Sequence, residues 1–142
     1  MKVFVAEMNM MASKLNLKKT NFTNPHGLAD RSNRSTAFDL AMLSAHAIKN
    51  PLFAEIVSTV SYEAKMYCKH TKKTLLQLWT NSNKLLEQGF EGIKTGVTTT
   101  AGPCLSSAFT VRGMQYTLVL LNCKSMDSRW SEAVNLVQYI AS

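Results

Sequence analysis

Residues 83–102 read NKLLEQGFEGIKTGVTTTAG and carry one of the clearest strand signals in the chain. Gly92 and Gly96 bracket the short run of residues 92–96. Glycine weakens a strand, so its presence there usually marks a place where another backbone approaches closely. We therefore predict a strand over residues 92–96 that lies tightly against a neighbouring segment.

The segments that follow predict an antiparallel hairpin and then a helix. Residues 104–111 and 114–123 are largely apolar, and the Arg-Gly dipeptide at 112–113 between them suits a tight turn. Asp127 or Ser128 then provides a helix cap. The apolar face of this final helix consists of Trp130, Ala133, Val134, Val137 and Ile140.

The segments before the strand predict helices and a weaker pair of strands. A first helix presents an apolar stripe of Phe4, Met8, Met11 and Leu15. A second helix begins near Thr36, where Asp39 completes a variant of the capping box. Pro51 ends that helix or begins another. Residues 60–65 and 74–79 alternate partly and indicate two paired strands.

These elements fit one domain that covers residues 1–142. With 46% hydrophobic and 18% charged residues, the chain has the composition of a folded globular domain. Helices, then a meander of about three strands, then a helix predict an α+β (α/β) fold with helices packed on an antiparallel sheet. No run approaches the roughly 18 apolar residues of a membrane helix. The N-terminus makes a poor signal peptide, so we expect no export address in the sequence as given.

The net charge of +7 suits an acidic partner, such as a nucleic acid, an anionic envelope polymer or a substrate that ends in a carboxylate. A solvated basic surface without a specific partner explains the charge equally well. The densest basic cluster, residues 69–73 (KHTKK), matches no nucleic-acid-binding motif, and we predict a loop or hairpin tip there. No nucleic acid is therefore expected as a partner.

The cysteines do not predict a disulfide framework or a metal site. Cys68, Cys104 and Cys123 are too few and too irregularly spaced for either. Cys104 and Cys123 lie on segments that can become adjacent strands, but ordinary buried thiols are the expectation.

Three passages resemble a single protein family. Residues 20–28 (TNFTNPHGL) and 35–40 (STAFDL) are similar to its NPxGL turn and the helix start after it. Residues 83–102 contain its N-x-LL, G-x-KTG-x-T and AG sequence, and residues 128–133 (SRWSEA) resemble its R-x-x-EA helix start. The family is that of the serine-type D-alanyl-D-alanine carboxypeptidases, low-molecular-mass penicillin-binding proteins of peptidase family S11. A lone K-T-G is weak, but its context on a predicted strand makes the resemblance specific.

The resemblance implies a fold and an activity. The fold is that of β-lactamases and penicillin-binding proteins, and the activity trims D-alanine from peptidoglycan stem peptides through an acyl-enzyme. The expected partner is a D-Ala-D-Ala peptide, with β-lactams as ligands once an N-terminal segment completes the site. No metal and no organic cofactor is implied, and the family's location is extracytoplasmic, in the cell envelope.

The family's nucleophile motifs do not occur in the chain. No lysine has a serine three residues before it, and no serine or tyrosine is followed two residues later by asparagine. Both S-x-x-K and S-x-N are therefore absent, and in the family both precede the segment that matches here. We expect the N-terminal part of the fold to be missing and the chain alone to be inactive.

The resemblance assigns five site residues on one wall. Lys94 is the catalytic candidate: its charge helps hold the substrate carboxylate and biases the proton shuttle. Thr95 offers a hydroxyl to that carboxylate, and Gly96 lets the substrate backbone lie flat along the strand. The amide near Thr98 contributes to the oxyanion hole, and the Arg129 guanidinium reaches the carboxylate. The alternatives without a functional role are that Lys94 is a solvated residue at a strand end and that Arg129 is an exposed residue in the first turn of a helix.

Two other functional interpretations stay open. The first is a non-catalytic remnant that binds a peptide carboxylate or an anionic polymer. The second is a nucleic-acid-associated protein, which only the net charge of +7 supports. A domain stripped of its central helix is also expected to expose apolar surface and a sheet edge, through which it self-associates.

Overall fold

The computed structural model describes residues 2–142, in which helices come first along the chain and most strands later. The helices are α1 Lys2–Lys14, α2 Ala37–Ala47, α3 Pro51–Ser58 and α4 Ser128–Ala141. The strands are β1 Ser61–Cys68, β2 Lys73–Thr80, β3 Phe90–Thr98, β4 Gly102–Val111 and β5 Met114–Leu120, and a 3-10 turn covers Leu86–Gln88. The predicted α+β order is confirmed.

Strands β3, β4 and β5 form one antiparallel sheet in that order. Thr95 lies opposite Leu105, and Leu105 lies opposite Leu120. The predicted strand at 92–96 is confirmed within β3, which is an edge strand of the sheet and pairs on one side only among residues 2–142. The predicted end of the hairpin at residue 123 is wrong: β5 ends at Leu120, and Asn122 turns the chain with φ 54°.

The two faces of the sheet pack on different helices. A core cluster under α4 consists of Leu85, Phe90, Leu105, Phe109, Leu118, Trp130 and Ala133. Ser106, which alternates with these β4 residues, faces α2 instead and shares a hydrogen bond with Ser44 (Oγ–Oγ 2.7 Å). Thr117 Oγ1 also donates to the Ala41 carbonyl of α2 at 3.2 Å. Helices therefore cover both faces of the sheet, with α2 and α4 on opposite sides.

The helix caps follow the predictions in part. Thr36 Oγ1 accepts from Asp39 N at 3.2 Å, as predicted, whereas the buried Asp39 carboxylate accepts from Lys19 N (2.9 Å) and Thr20 Oγ1 (2.8 Å). Asp39 thus ties the preceding loop to α2 rather than closing a capping box. Of the two alternatives predicted as the cap of α4, Asp127 makes no side-chain capping bond, whereas Ser128 takes part in the bonds at the start of the helix. Ser125 and Ser128 each accept the other's backbone N–H at 3.0 Å and start α4 instead.

Helix α1 is present as predicted, but little of its surface is buried. Of its residues only Ala12 is buried, while Phe4 and Met11 of the predicted apolar stripe are 55% and 39% exposed. The helix is tied to the following loop by Asn9, whose side chain bonds both the N–H (2.8 Å) and the carbonyl (2.7 Å) of Phe22. The predicted helix is therefore confirmed, but residues 2–142 cover its stripe only in part, since Met8 and Leu15 are half-buried and Phe4 and Met11 are exposed.

Strands β1 and β2 form a separate antiparallel hairpin in which Ser61 pairs with Thr80 and Cys68 with Lys73. The predicted strand pair is confirmed: β1 begins one residue later than predicted and ends three residues later, and β2 is one residue longer at each end. The basic residues 69–73 form its tip, as predicted, with Lys72 in the left-handed region at φ 53°. Within residues 2–142, no helix is long and apolar enough to cross a membrane.

Candidate functional site

A groove with a volume of about 880 Å³ opens between α2, α3 and the β3 side of the sheet. Its lining is mostly apolar on the helix side and polar on the β3 side. The five site residues predicted from the sequence all line it: Lys94, Thr95, Gly96, Thr98 and Arg129. Residues separated by more than 30 positions in the chain thus meet around one cavity.

The polar wall of the groove is β3. Lys94 is exposed and its Nζ donates to the Thr95 carbonyl oxygen. The Thr95 hydroxyl shares a hydrogen bond of 2.6 Å with the hydroxyl of Ser82, which lies just after β2. Ser82 therefore helps to orient the Thr95 hydroxyl. Sequence reasoning did not find it, since a lone serine in a loop carries no pattern.

The two glycines of β3 have different environments. A Cβ at Gly92 would lie 2.5 Å from Val57 Cγ2 of α3, so the predicted close approach is confirmed at this position. A Cβ at Gly96 would meet nothing within 4 Å, and the same explanation is wrong there. Packing within residues 2–142 therefore does not explain why position 96 is a glycine. A ligand that lies flat on the strand would explain it, because a side chain there would be in its way.

A buried amide holds β3 in place. Asn83 Nδ2 donates to the Gly92 carbonyl at 2.6 Å, and Asn83 Oδ1 accepts from Leu85 N at 3.0 Å. The buried Ser107 hydroxyl of β4 donates to the same Gly92 carbonyl. The network joins the loop before β3 to the centre of the sheet, two residues from Lys94. It gives Asn83, the first residue of the N-x-LL passage, a structural role.

We expect Asn83→Ala to lower the free energy of unfolding by about 2 kcal/mol, because the Gly92 carbonyl and the Leu85 amide lose a buried partner. Urea unfolding followed by tryptophan fluorescence at one fixed protein concentration measures it. Asn135→Ala, at an exposed position of α4, is the matched control and should change the value by less than about 0.5 kcal/mol. Equal losses in the two variants would contradict the role given to Asn83.

Arg129 is buried in the wall opposite α2. Its side chain is 6% exposed, its Cζ lies 4.2 Å from the Trp130 ring centroid, and its Nη1 donates to the Cys104 carbonyl at 3.4 Å. Its Nε has no hydrogen-bond partner among the residues that the structure describes. The interpretation of Arg129 as an exposed first-turn residue is therefore wrong. A buried guanidinium with an unused N–H is costly unless an anion completes its bonding.

Thr98 lies where β3 turns into β4, and its hydroxyl accepts from Ala101 N at 3.0 Å. The hydroxyl is thus occupied by the turn. The role predicted for this position, a backbone amide that contributes to an oxyanion hole, does not use the hydroxyl.

Cys104 and Cys123 are free thiols, and the prediction that both are buried holds for Cys123 only. Cys123 is buried, and this burial, reinforced by the charge of Glu132, raises the pKa of its thiol. A protonated buried thiol is a poor nucleophile. Cys104 lies on β4 and lines the groove, half-buried. No group of three or more potential metal ligands occurs within residues 2–142.

Helices on both faces of an antiparallel sheet, with a K-T-G edge strand, define the class of β-lactamase-like penicillin-binding proteins. The crystal structure of the Streptomyces K15 DD-transpeptidase superposes with a TM-score of 0.91 at 34% identity, over 97% of this chain and 53% of that one. A D-alanyl-D-alanine carboxypeptidase from Mycobacterium tuberculosis superposes with a TM-score of 0.83 at 29% identity, over 97% of this chain and 53% of that one. The structural match lies in the C-terminal part of the Streptomyces protein.

Residues 1–125 match the peptidase S11 family, described as D-alanyl-D-alanine carboxypeptidase, and the chain belongs to that family. The D-alanyl-D-alanine carboxypeptidase of Streptomyces sp. strain K15 is 33% identical over 140 residues, which are 97% of this chain and 48% of the relative. DacF of Bacillus subtilis is 29% identical over 98% of this chain and 35% of its own length. The chain thus spans half or less of the length of these relatives.

Proposed function

We propose that the chain is the carboxylate-binding half of a serine-type D-alanyl-D-alanine carboxypeptidase. The observation that supports this most directly is that Arg129, a buried guanidinium with an unused N–H, lines the same groove as Lys94 and Thr95. A guanidinium, an ammonium and a hydroxyl around one cavity suit the C-terminal carboxylate of a peptide. The proposed substrate is a peptidoglycan stem peptide that ends in D-Ala-D-Ala.

The unpaired side of β3 supports an extended peptide lying beside it. An edge strand presents free N–H and C=O groups, with which a peptide can pair as an additional strand. Gly96 leaves room for that backbone, and the amide near Thr98 donates to the oxyanion that forms on the scissile carbonyl. Lys94 lies two residues before Gly96 on the same strand. Its charge holds the carboxylate and favours proton transfer to the leaving D-alanine.

Acyl transfer also needs a nucleophilic hydroxyl and its activating base, which we propose come from a segment with S-x-x-K and S-x-N. The serine attacks the carbonyl, D-alanine leaves with the proton, and water then hydrolyses the ester to regenerate the serine. The apolar α2–α3 side of the groove, which includes Leu40, Leu43 and Phe53, is the proposed seat of that segment. Without it the chain is proposed to be inactive, and with it the site also accepts β-lactams.

A second candidate is a non-catalytic remnant that binds a peptide carboxylate. The carboxylate wall is well formed without the two missing motifs, and this observation favours binding without turnover. The remaining alternatives, an anionic polymer or a nucleic acid, rest on the basic hairpin tip, which belongs to a different part of the molecule. An extracytoplasmic location in the cell envelope is proposed from the family alone.

We expect a peptide ending in D-Ala-D-Ala to bind the chain with a dissociation constant of about a millimolar or weaker, roughly 4 kcal/mol, because half of the cleft is absent. Amidation of the peptide C-terminus removes the charge that Lys94 and Arg129 hold and should abolish binding. Chemical-shift titration with the acid and amide peptides measures both.

Variants separate this site from the basic hairpin. Lys94→Ala should weaken binding of the acid peptide, whereas the control Lys72→Ala/Lys73→Ala, which removes more charge elsewhere, should leave it nearly unchanged. Equal shifts from the acid and amide peptides would exclude the carboxylate site. If a duplex DNA binds instead, with an affinity that falls steeply with salt, the nucleic-acid interpretation replaces it.

A further inference from the structure

Ser82 lies in a loop that is anchored on both sides of it. Asn81 Nδ2 donates to the carbonyls of Val57 and Thr59, both at 3.1 Å, which fixes the loop to the end of α3. Asn81 Oδ1 accepts from Asn83 N at 3.0 Å, and this bond spans Ser82. Asn83 in turn is buried and bonds the backbone of β3. The side chain of Ser82 therefore reaches β3 from a fixed point.

The hydroxyls of Ser82 and Thr95 have one proton more than their mutual bond uses. Among residues 2–142 the Ser82 hydroxyl has a single hydrogen-bond partner, the Thr95 hydroxyl at 2.6 Å. Two hydroxyls joined by one bond leave one O–H free. If Ser82 donates, the free proton belongs to Thr95, which lines the groove. If Thr95 donates, the free proton belongs to Ser82, which is exposed and lies outside the lining of the groove.

A carboxylate in the groove favours the first of these two arrangements. An ionised carboxylate only accepts hydrogen bonds, so it is attracted by the Thr95 proton and repelled by the lone pairs of the Thr95 oxygen. With Ser82 as the donor to Thr95 Oγ1, the two hydroxyls form a chain of donors that ends on the anion. Hydrogen bonds in such a chain polarise and strengthen one another.

A purely structural explanation of the bond is weaker. The loop is already held by the side chains of Asn81 and Asn83, which bond α3 and β3. The Ser82 hydroxyl is exposed and adds little to that anchoring. What the bond does fix is the direction of the Thr95 hydroxyl, because a hydroxyl without a partner rotates freely.

We propose that Ser82 is a positioning residue of the carboxylate site, which acts on the ligand only through Thr95: it donates to Thr95 Oγ1 and so directs the Thr95 proton into the groove. The proposal rests on the proposed function, because it needs a carboxylate as the ligand. It extends the site from the K-T-G strand to the loop before it. The anchored asparagines on either side of Ser82 supply the support that a pre-organised site needs.

The test is a double-mutant cycle in the 142-residue chain, with acetyl-D-Ala-D-Ala as the ligand and chemical-shift titration as the measurement. Ser82→Ala should weaken binding about fivefold, the loss typical of one neutral hydrogen bond. In a Thr95→Val background the same change should have less than about a twofold effect, because the group through which Ser82 acts is gone. Ser82→Thr keeps the hydroxyl and should restore most of the affinity.

A second measurement needs no ligand. Three-bond couplings to the Thr95 methyl carbon report whether this side chain is confined to one staggered rotamer. We expect a single rotamer in the parent chain and in Ser82→Thr, and an average over several in Ser82→Ala. Ser61→Ala, at an exposed serine at the start of β1, is the matched control and should change neither the couplings nor the affinity.

The possible failures are distinguishable. The proposal is overturned if Ser82→Ala binds the peptide as the parent does, or if the Thr95 couplings do not respond to it. An equal loss of affinity in the parent and Thr95→Val backgrounds also overturns it, since Ser82 then acts by some route other than Thr95. In each of these cases the parent still binds the acid peptide, and the proposed function stands. A parent chain that binds no acid peptide refutes the proposed function itself, and with it the role of Ser82 toward a ligand, even where the couplings respond.

Discussion

A fluorescent penicillin will leave the 142-residue chain unlabelled and will label a stoichiometric complex once a segment carrying Ser-x-x-Lys and Ser-x-Asn is supplied. A β-lactam acylates a nucleophilic hydroxyl that has an activating base beside it, and neither motif occurs in the chain. The groove supplies cations and a strand edge, which can bind a carbonyl substrate but cannot attack it. Denaturing electrophoresis after incubation reads the result as the presence or absence of a covalent band.

In the complex of the chain with the added segment, a variant distinguishes the contribution of Lys94 from that of the nucleophile. Lys94→Ala should slow acylation by about 10²–10³-fold, the loss typical when a group that stabilises developing charge is removed. Lys84→Ala, at an exposed lysine of the loop before β3, is the control and should acylate at nearly the parent rate. A covalent band from the chain alone would show that another serine or threonine serves as the nucleophile. A folded complex that stays unlabelled would refute the proposed role of the wall.

By itself the chain should elute from size exclusion as a dimer or larger species, and with the added segment as a one-to-one complex. The groove of about 880 Å³ has an apolar helix side, and Phe38, Leu52 and Ile56 of α2 and α3 are 62–74% exposed. An apolar surface of this kind associates unless it is covered. The unpaired side of β3 adds a second route to association, through strand pairing.

The strand route can be tested by placing a charge on the edge. Val97 of β3 is 52% exposed, and Val97→Lys should shift the chain toward the monomer if copies pair through β3. Val3→Lys on α1, at a residue that is 74% exposed, is the matched control and should not change the elution volume. A compact monomer with a sharp cooperative melt in the unmodified chain would show that nothing is missing from its core.

Elements whose partners lie within the chain were predictable from the sequence. Strand β3, the β4–β5 hairpin and α4 pack on one another, so their periodicity and turn residues agree with the structure. Helix α1 was also predicted as a helix, but the burial of its stripe was not predictable, because residues 2–142 leave Phe4 55% exposed. The start of α4 at residues 127–128 was predicted, but the part played by Ser125 was missed, because its reciprocal bonds with Ser128 depend on loop geometry, which residue type alone does not reveal.

The residues of the candidate site were predictable from the sequence, but their burial and their hydrogen-bond partners were not. The motif spacing identified Lys94, Thr95 and Arg129, and the structure places all three around one groove. Burial of the guanidinium, its unused Nε and the hydroxyl contact of Ser82 depend on distant segments meeting in space. Asn83 lay within a quoted motif, but its bond to the Gly92 carbonyl appears only when β3 is placed beside the loop.

The free side of β3 has a consequence for how a binding measurement depends on protein concentration. The same row of amides that would receive a peptide substrate would also receive a strand from a second copy. The two occupants compete by mass action, and each therefore acts as an inhibitor of the other. A weak ligand measured on a concentrated sample would look weaker still, and dilution would recover its intrinsic affinity.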